Sequence, residues 1–487
     1  MKTVTLIGSG FSSLSAACYM ANNGYKVTLF EKNDTIGGRA RQFTEKGFTF
    51  DMGPTFYWMP DLIERFFNDF GKTSADYYDL IRLDPGYKIY FSEKEALSVS
   101  ADLTEIYAMF DSLEPGSSRF LRSFLQDAEF NYRVAVDKVL YKPANSFSEL
   151  IMPDTVKRLS QFFTTISARV KQHIKHPYLR QLLEFPVIFL GAKPSNTPLF
   201  YCLMNYADMV LGTWHIKGGM FRLADAMKQV AESLGVEIVT QSPVDKIVVQ
   251  KDKATGVVVK DTFHATDLII SGADYHHTEY LLDESFRNYS ETYWQKRVMA
   301  PSALLYYVGF DRKIDQVAHH TLFFDTDFTL HAENIYDRPG WPDKPLFYTS
   351  FPSITDPQLA PEGKETGIFL IPIAPGITDS EEIRSFYFNQ LIDRMENITG
   401  QSLKKDVLFY KSYAGADFMR DYNAYKGNAY GLANTLLQTA FLKPSVHNKQ
   451  VKNLFYTGQL TVPGPGVPPA IISGKIAAGE ASKYFNK

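Results

Sequence analysis

The segment VTLIGSGFSS, Val4 to Ser13, constrains the fold more than any other stretch of the chain. A short β-branched run stops at Gly8 and Gly10, and a helical pattern on Leu14, Ala17, Cys18 and Ala21 follows, ending at Gly24. A second run, Lys26 to Phe30, stops on Glu31. Strand, glycine turn, helix, strand and acid in that order predict the opening βαβ unit of a dinucleotide-binding fold. Gly8 permits the tight turn. Gly10 lets backbone approach a pyrophosphate, whose charge meets the helix start at Phe11 and Ser12. Ser13 holds the third small position of the motif. Glu31, 21 residues beyond Gly10, is placed to accept hydrogen bonds from ribose hydroxyls, with Lys32 beside it.

At 487 residues the chain exceeds what one hydrophobic core usually supports, so two domains or one elaborated domain are expected. Its 51 basic and 54 acidic residues are interspersed, which argues against a nucleic-acid partner. Two distant cysteines, Cys18 and Cys202, argue against a disulfide framework and fit a reducing cytoplasm. The N-terminus runs straight into strand-like sequence without a signal-peptide apolar region, and LLEFPVIFL, residues 182–190, is too short to span a membrane. A soluble or peripheral protein is expected. The His276–His277 and His319–His320 pairs, read as strand residues, would point to opposite faces, and no metal site is expected from them.

The nucleotide unit is expected to be discontinuous. Residues 72–214 read as long and helical, broken at Pro143, Pro153, Pro177 and Pro194. Strand-like alternation returns between Gly235 and Asp274, and a further mixed stretch precedes the C-terminal strand near Leu454. The resulting expectation is a Rossmann-like α/β nucleotide domain made of residues 1–71, 215–289 and 445–487, with an inserted α+β substrate domain made of 72–214 and 290–444.

After Glu31 comes KNDTIGGRARQF, in which Gly37 and Gly38 expose backbone amides and Arg39 suits a phosphate oxygen. With this segment the chain resembles the FAD-dependent amine-oxidase and carotenoid-desaturase superfamily. FTFDMGPTFYWMP, GTWHIKGGM, AHHT, the stretch from Asp421 to Pro444 and the terminal GQLTVPGPGVPP narrow the resemblance to carotenoid desaturases of the phytoene desaturase type. The resemblance implies bound FAD, with Val244 facing the adenine, Gly458 and Gln459 near the flavin, and Gly466 and Val467 in the turn over its ring. The helix beginning after that turn would aim its positive end at the ring.

The implied reaction introduces C=C bonds into an apolar C40 carotenoid by hydride loss to the flavin, followed by proton loss. The substrate is either phytoene-type or a 1′-hydroxy-γ-carotene type desaturated at the 3′,4′ bond. Glu149 in SFSEL corresponds to an acidic residue of the family, while Met152 stands where a basic one is expected. A solvated helix carboxylate is the other reading of Glu149. No second nucleotide motif is visible, so oxygen or a membrane quinone is the expected electron acceptor. Substrate insolubility implies a cytoplasmic protein held peripherally at the inner face of the membrane. Two alternatives share parts of the pattern: a retinol-saturase-like or amine-oxidase-like flavoenzyme, and a non-enzymatic lipid-binding protein like the Rab GDP-dissociation inhibitors.

Overall fold

A computed structural model describes residues 1–144, 160–191, 193–435 and 438–486. The chain opens with β1 (Thr3–Ile7), α1 (Phe11–Asn22) and β2 (Lys26–Phe30). Two strands, β3 (Tyr87–Tyr90) and β4 (Ala96–Val99), precede a helical stretch from Leu103 onward. Next come α2 (Phe221–Ser233), β5 (Glu237–Val239), β6 (Leu268–Ser271) and α3 (Tyr275–Tyr280). The strands β7 (Ser302–Phe310), β8 (His320–Phe323), β9 (Phe347–Ser350) and β10 (Glu365–Ile373) lead to α4 (Glu381–Thr399). The chain closes with β11 (Val407–Tyr413), β12 (Leu454–Tyr456) and α5 (Val467–Phe485).

Two sheets carry the molecule. The first is fully parallel, in the order β12-β6-β1-β2-β5. Its central strand is buried from Val4 to Ile7, as a parallel strand covered on both faces must be. Helix α1 lies between this sheet and α5 and buries small residues on every side, Ser13, Ser15, Ala16 and Ala17 among them. Gly474 of α5 lets the two helices touch, because a Cβ there would sit 2.2 Å from the Ser12 carbonyl oxygen.

The second sheet is mixed, in the order β11-β7-β10-β9-β8-β3-β4. All its neighbouring pairs are antiparallel except β8 with β3. Residues alternate along it with period two. Leu304, Tyr306, Phe323, Phe347, Phe369 and Ile371 join a core cluster with Leu391, Ile392 and Met395 of α4. Ala303, Leu305, Leu322, Tyr348, Leu370 and Pro372 line a cavity instead.

The stretch 72–214 is less helical than its sequence suggests. Residues 80–99 supply three strands, two of which extend the mixed sheet, and Trp214–Ile216 forms a short strand paired with Leu80–Arg82. β3 and β4 form a local antiparallel hairpin, and β8, more than two hundred residues later, joins it to the mixed sheet. The His276–His277 pair sits in helix α3, not in a strand, with His276 Nε2 2.9 Å from Glu291 Oε2.

Candidate active site

One continuous cavity of about 760 Å³ runs from the glycine turn after β1 to the aromatic floor formed by the mixed sheet. Nearly every residue singled out from the sequence for nucleotide contact lines it: Gly8, Gly10, Phe11 and Ser12, then Glu31 and Lys32, then Gly37, Gly38 and Arg39. Val244, Gly458, Gln459, Gly466 and Val467 line it as well. Ser13 does not belong with them. Its hydroxyl points back to the Ile7 carbonyl oxygen at 3.4 Å, and a Cβ on Gly272 would meet it at 2.1 Å, so Ser13 packs helix against sheet. Glu149 and Met152 lie outside the described residues.

The glycines leave room where a ligand must approach. Nothing lies within 4 Å of the position a Cβ would take on Gly10, so the turn opens directly onto the cavity. Gly38 crosses this turn closely, with a Cβ there 3.2 Å from Gly10 Cα. Glu31, 4% exposed, accepts hydrogen bonds at Oε2 from the Ser9 amide (2.9 Å) and hydroxyl (2.6 Å) and at Oε1 from the Asn33 amide (2.8 Å). The carboxylate therefore shapes the turn as well as facing the cavity. Sequence reasoning missed Ser9, although its place between the two glycines was the available signal.

Arg39 donates from Nη2 to the Asn428 carbonyl oxygen at 3.1 Å, and its Nε is buried with no partner. Burial lowers its pKa, partly offset by the nearby Asp274 carboxylate. Asp274, also on the cavity wall, is pushed up by burial and held back by Arg39. An orphaned guanidinium N–H beside an open glycine turn suits an anionic group such as a phosphate. At the other end of the same region, Gly458 has φ +106° and donates its amide to Ser473 Oγ at 3.0 Å. Pro468 and Pro469 occupy the first turn of α5, where a missing N–H costs nothing, and that turn lines the cavity. The residues present thus fit a dinucleotide with a helix N-terminus at its far end.

Residues 11–482 match the family described as flavin containing amine oxidoreductase. The chain belongs to this family. Within it, the chain is 38% identical over 98% of its length, and 97% of the relative's, to a carotenoid 3,4-desaturase of Haloarcula japonica. It is 31% identical over 98% of its length, and 97% of the relative's, to a 4,4′-diapophytoene desaturase of Staphylococcus haemolyticus. These place it among the carotenoid desaturases of the family. An oxidoreductase from Methanosarcina mazei has the same fold, with a TM-score of 0.66 at 16% identity and full coverage of both chains. The protein is a flavoprotein oxidoreductase, and its cofactor is FAD.

The half of the cavity away from the glycine turn is apolar. Phe56, Trp58, Phe185, Leu322, Phe324 and Leu370 are among its walls. The segment that joins the halves begins at Gly53, whose missing side chain is required because a Cβ there would lie 2.2 Å from the Arg39 carbonyl oxygen.

Proposed function

We propose that the protein is a carotenoid desaturase, oxidising CH–CH to CH=CH beside a polyene in carotenoid biosynthesis. The single observation that carries this reading is the continuity of the glycine-lined half of the cavity with a long aromatic half. Such walls offer an extended hydrocarbon contact along its length and place part of it beside the cofactor region. FAD, when bound, supplies the hydride acceptor. Glu31 and the Gly8–Ser12 turn would hold its adenosine and pyrophosphate, Arg39 would pair with its phosphates, and Gly458, Gln459, Gly466 and Val467 would lie along its flavin end. The aromatic walls exclude water, which protects a cationic polyene from capture.

The segments 1–71, 215–289 and 445–487 act as the FAD domain, with 72–214 and 290–444 forming the substrate domain. The family relationship favours an enzymatic reading over a lipid-binding one. Oxygen or a membrane quinone takes the electrons, and the protein works at the inner face of the membrane without crossing it. Among the described residues no helix is long and apolar enough to span a bilayer. Phe163, 81% exposed, lies on a short helix packed against Leu199–Cys202. Exposed Leu442 lies just beyond Thr439, whose hydroxyl is 2.9 Å from that of Tyr201 in the same segment. Together they offer an apolar face for a lipid surface.

The test uses liposomes carrying phytoene or, separately, 1′-hydroxy-γ-carotene, with FAD supplied and NAD(P) omitted. A product absorbing at longer wavelength from either one supports the reading. Failure of both to bleach bound flavin anaerobically, while an amine or a retinoid does so, overturns it.

A further inference from the structure

Removing two hydrogens from adjacent carbons sends one away as hydride, for which the flavin is the acceptor, and one as a proton, which this chain must take. The group that takes it has to face the cavity. Thr55 and Tyr348 both line it. Thr55 is two residues past the Gly53 contact with Arg39, and its hydroxyl lies 2.8 Å from Tyr348 Oη. Tyr348 Oη lies in turn 2.7 Å from His320 Nδ1. His320 is fully buried, with its ring stacked 4.0 Å from that of Phe56, a cavity wall. Its Nε2 has no partner among the described residues.

We propose that Tyr348 is the catalytic proton acceptor of the desaturation, with His320 the positioning residue that receives the phenolic proton. The proposal rests on the desaturase reading given above. With the imidazole proton on Nε2, Nδ1 accepts the Tyr348 hydroxyl, and Thr55 donates to Tyr348 Oη. After hydride loss, the C–H bond on the carbon next to the allylic cation breaks, and its electron pair becomes the new double bond. The released proton bonds to Tyr348 Oη as the original phenolic proton moves to His320 Nδ1. The net change is one proton gained by His320. A polyene cation is so strong an acid that position, rather than basicity, is what its proton acceptor needs.

Burial keeps His320 and its neighbour His319 neutral by pushing both far below the usual imidazole range, which leaves a lone pair free. The adjoining rings lead away from the cavity: His319 lies 4.5 Å from His320 and 4.7 Å from His215, whose Nε2 is 3.7 Å from Asp356 Oδ2.

Other groups on the apolar walls lack this arrangement. His331 has both nitrogens engaged, with the Pro372 carbonyl oxygen at 2.8 Å and the Leu346 amide at 2.9 Å. Lys193 is paired with Asp337. Among the described residues, the Tyr57 hydroxyl bonds only another phenol, Tyr78, at 3.0 Å. Among the described residues, no base stands behind Tyr336 or Tyr430.

The experiment compares full-chain FAD holoprotein with Tyr348→Phe and His320→Gln, in liposomes carrying whichever of phytoene and 1′-hydroxy-γ-carotene the wild type converts. Glutamine offers Tyr348 an acceptor oxygen but cannot take a proton, so it rescues a structural role and not this one. Both variants are expected to retain flavin and to form product about 100-fold more slowly. The recovered starting carotenoid should gain E/Z isomers, because a cation that keeps its proton has weakened double bonds that rotate before its hydride is returned. Wild-type rates in His320→Gln overturn the proposal, and so does slow turnover without isomerised carotenoid in either variant. Should Tyr348→Phe fail to fold, His320→Gln decides alone. If the wild type converts neither carotenoid, the desaturase reading falls and takes this one with it, whereas conversion by wild type and both variants alike removes this one only.

Discussion

Glu31 has two duties, since one carboxylate both faces the cavity and clasps Ser9 through amide and hydroxyl. Its removal costs charge-assisted hydrogen bonds of about 1.5–3 kcal/mol. Glu31→Ala is therefore expected to weaken FAD binding roughly 10- to 100-fold in a fluorescence titration of the apoprotein. Gly10 allows a cleaner separation of fold from ligand. Its φ of −67° and ψ of 171° suit any residue, and no atom stands within 4 Å of its Cβ direction. Gly10→Val should give an apoprotein that melts as wild type does yet takes up no flavin. Gly466 differs in kind: its φ is +114°, and a Cβ there would meet Pro469 Cδ at 3.2 Å, so a valine is strained by the start of its own helix before it reaches any ring.

Among the contacts that hold helix α5, two differ in chemistry. Gly474 presses on α1, with a Cβ there 2.2 Å from the Ser12 carbonyl oxygen and 2.6 Å from Ser15 Cβ, while Ser15 Oγ donates to the Ile471 carbonyl oxygen at 2.7 Å. Gly474→Leu should force the helices apart, at a cost of about 1–3 kcal/mol or more. Calorimetry should then show a lower melting temperature, with flavin content falling alongside it, unlike the Gly10 variant. Farther along α5, Glu480 accepts hydrogen bonds from His447 and Lys483, and the His447 bond is the main reason its pKa is lowered to about 2. A depressed folded-state pKa adds stability that is present above the unfolded value near 4.3 and disappears as pH falls through 2. The stability gap between wild type and Glu480→Gln should accordingly close between about pH 4.5 and 2 in urea titrations.

The same elements show what sequence could and could not reveal. The Gly8–Glu31 unit was legible because its signals are contiguous and its period is local. The place of strands β3 and β4 in the mixed sheet was not, because it depends on a parallel partner at residues 321–323. Thr55, Tyr348 and His320 were illegible as a group for the same reason: they become neighbours only when β8 and β9 pair and the Gly53 segment folds back onto Arg39.

At the scale of the whole molecule, the proposed lipid contact at exposed Phe163 and Leu442 can be tested directly. Replacing both with serine is expected to reduce co-flotation with anionic vesicles several-fold while leaving the flavin spectrum unchanged, since neither residue lines the cavity. The parallel sheet has a consequence of another sort, in time rather than space. Strand β12 and the first turn of α5 come from residues 454–470, yet β12 pairs beside β6, and β6 beside β1. A ribosome that has released the first four hundred residues has delivered the glycine turn, Glu31 and Arg39, but not the cavity wall made by residues 457–460 and 465–470. Chains cut before β12 should therefore purify without flavin colour, and a visible spectrum of a chain ending at residue 450 checks this.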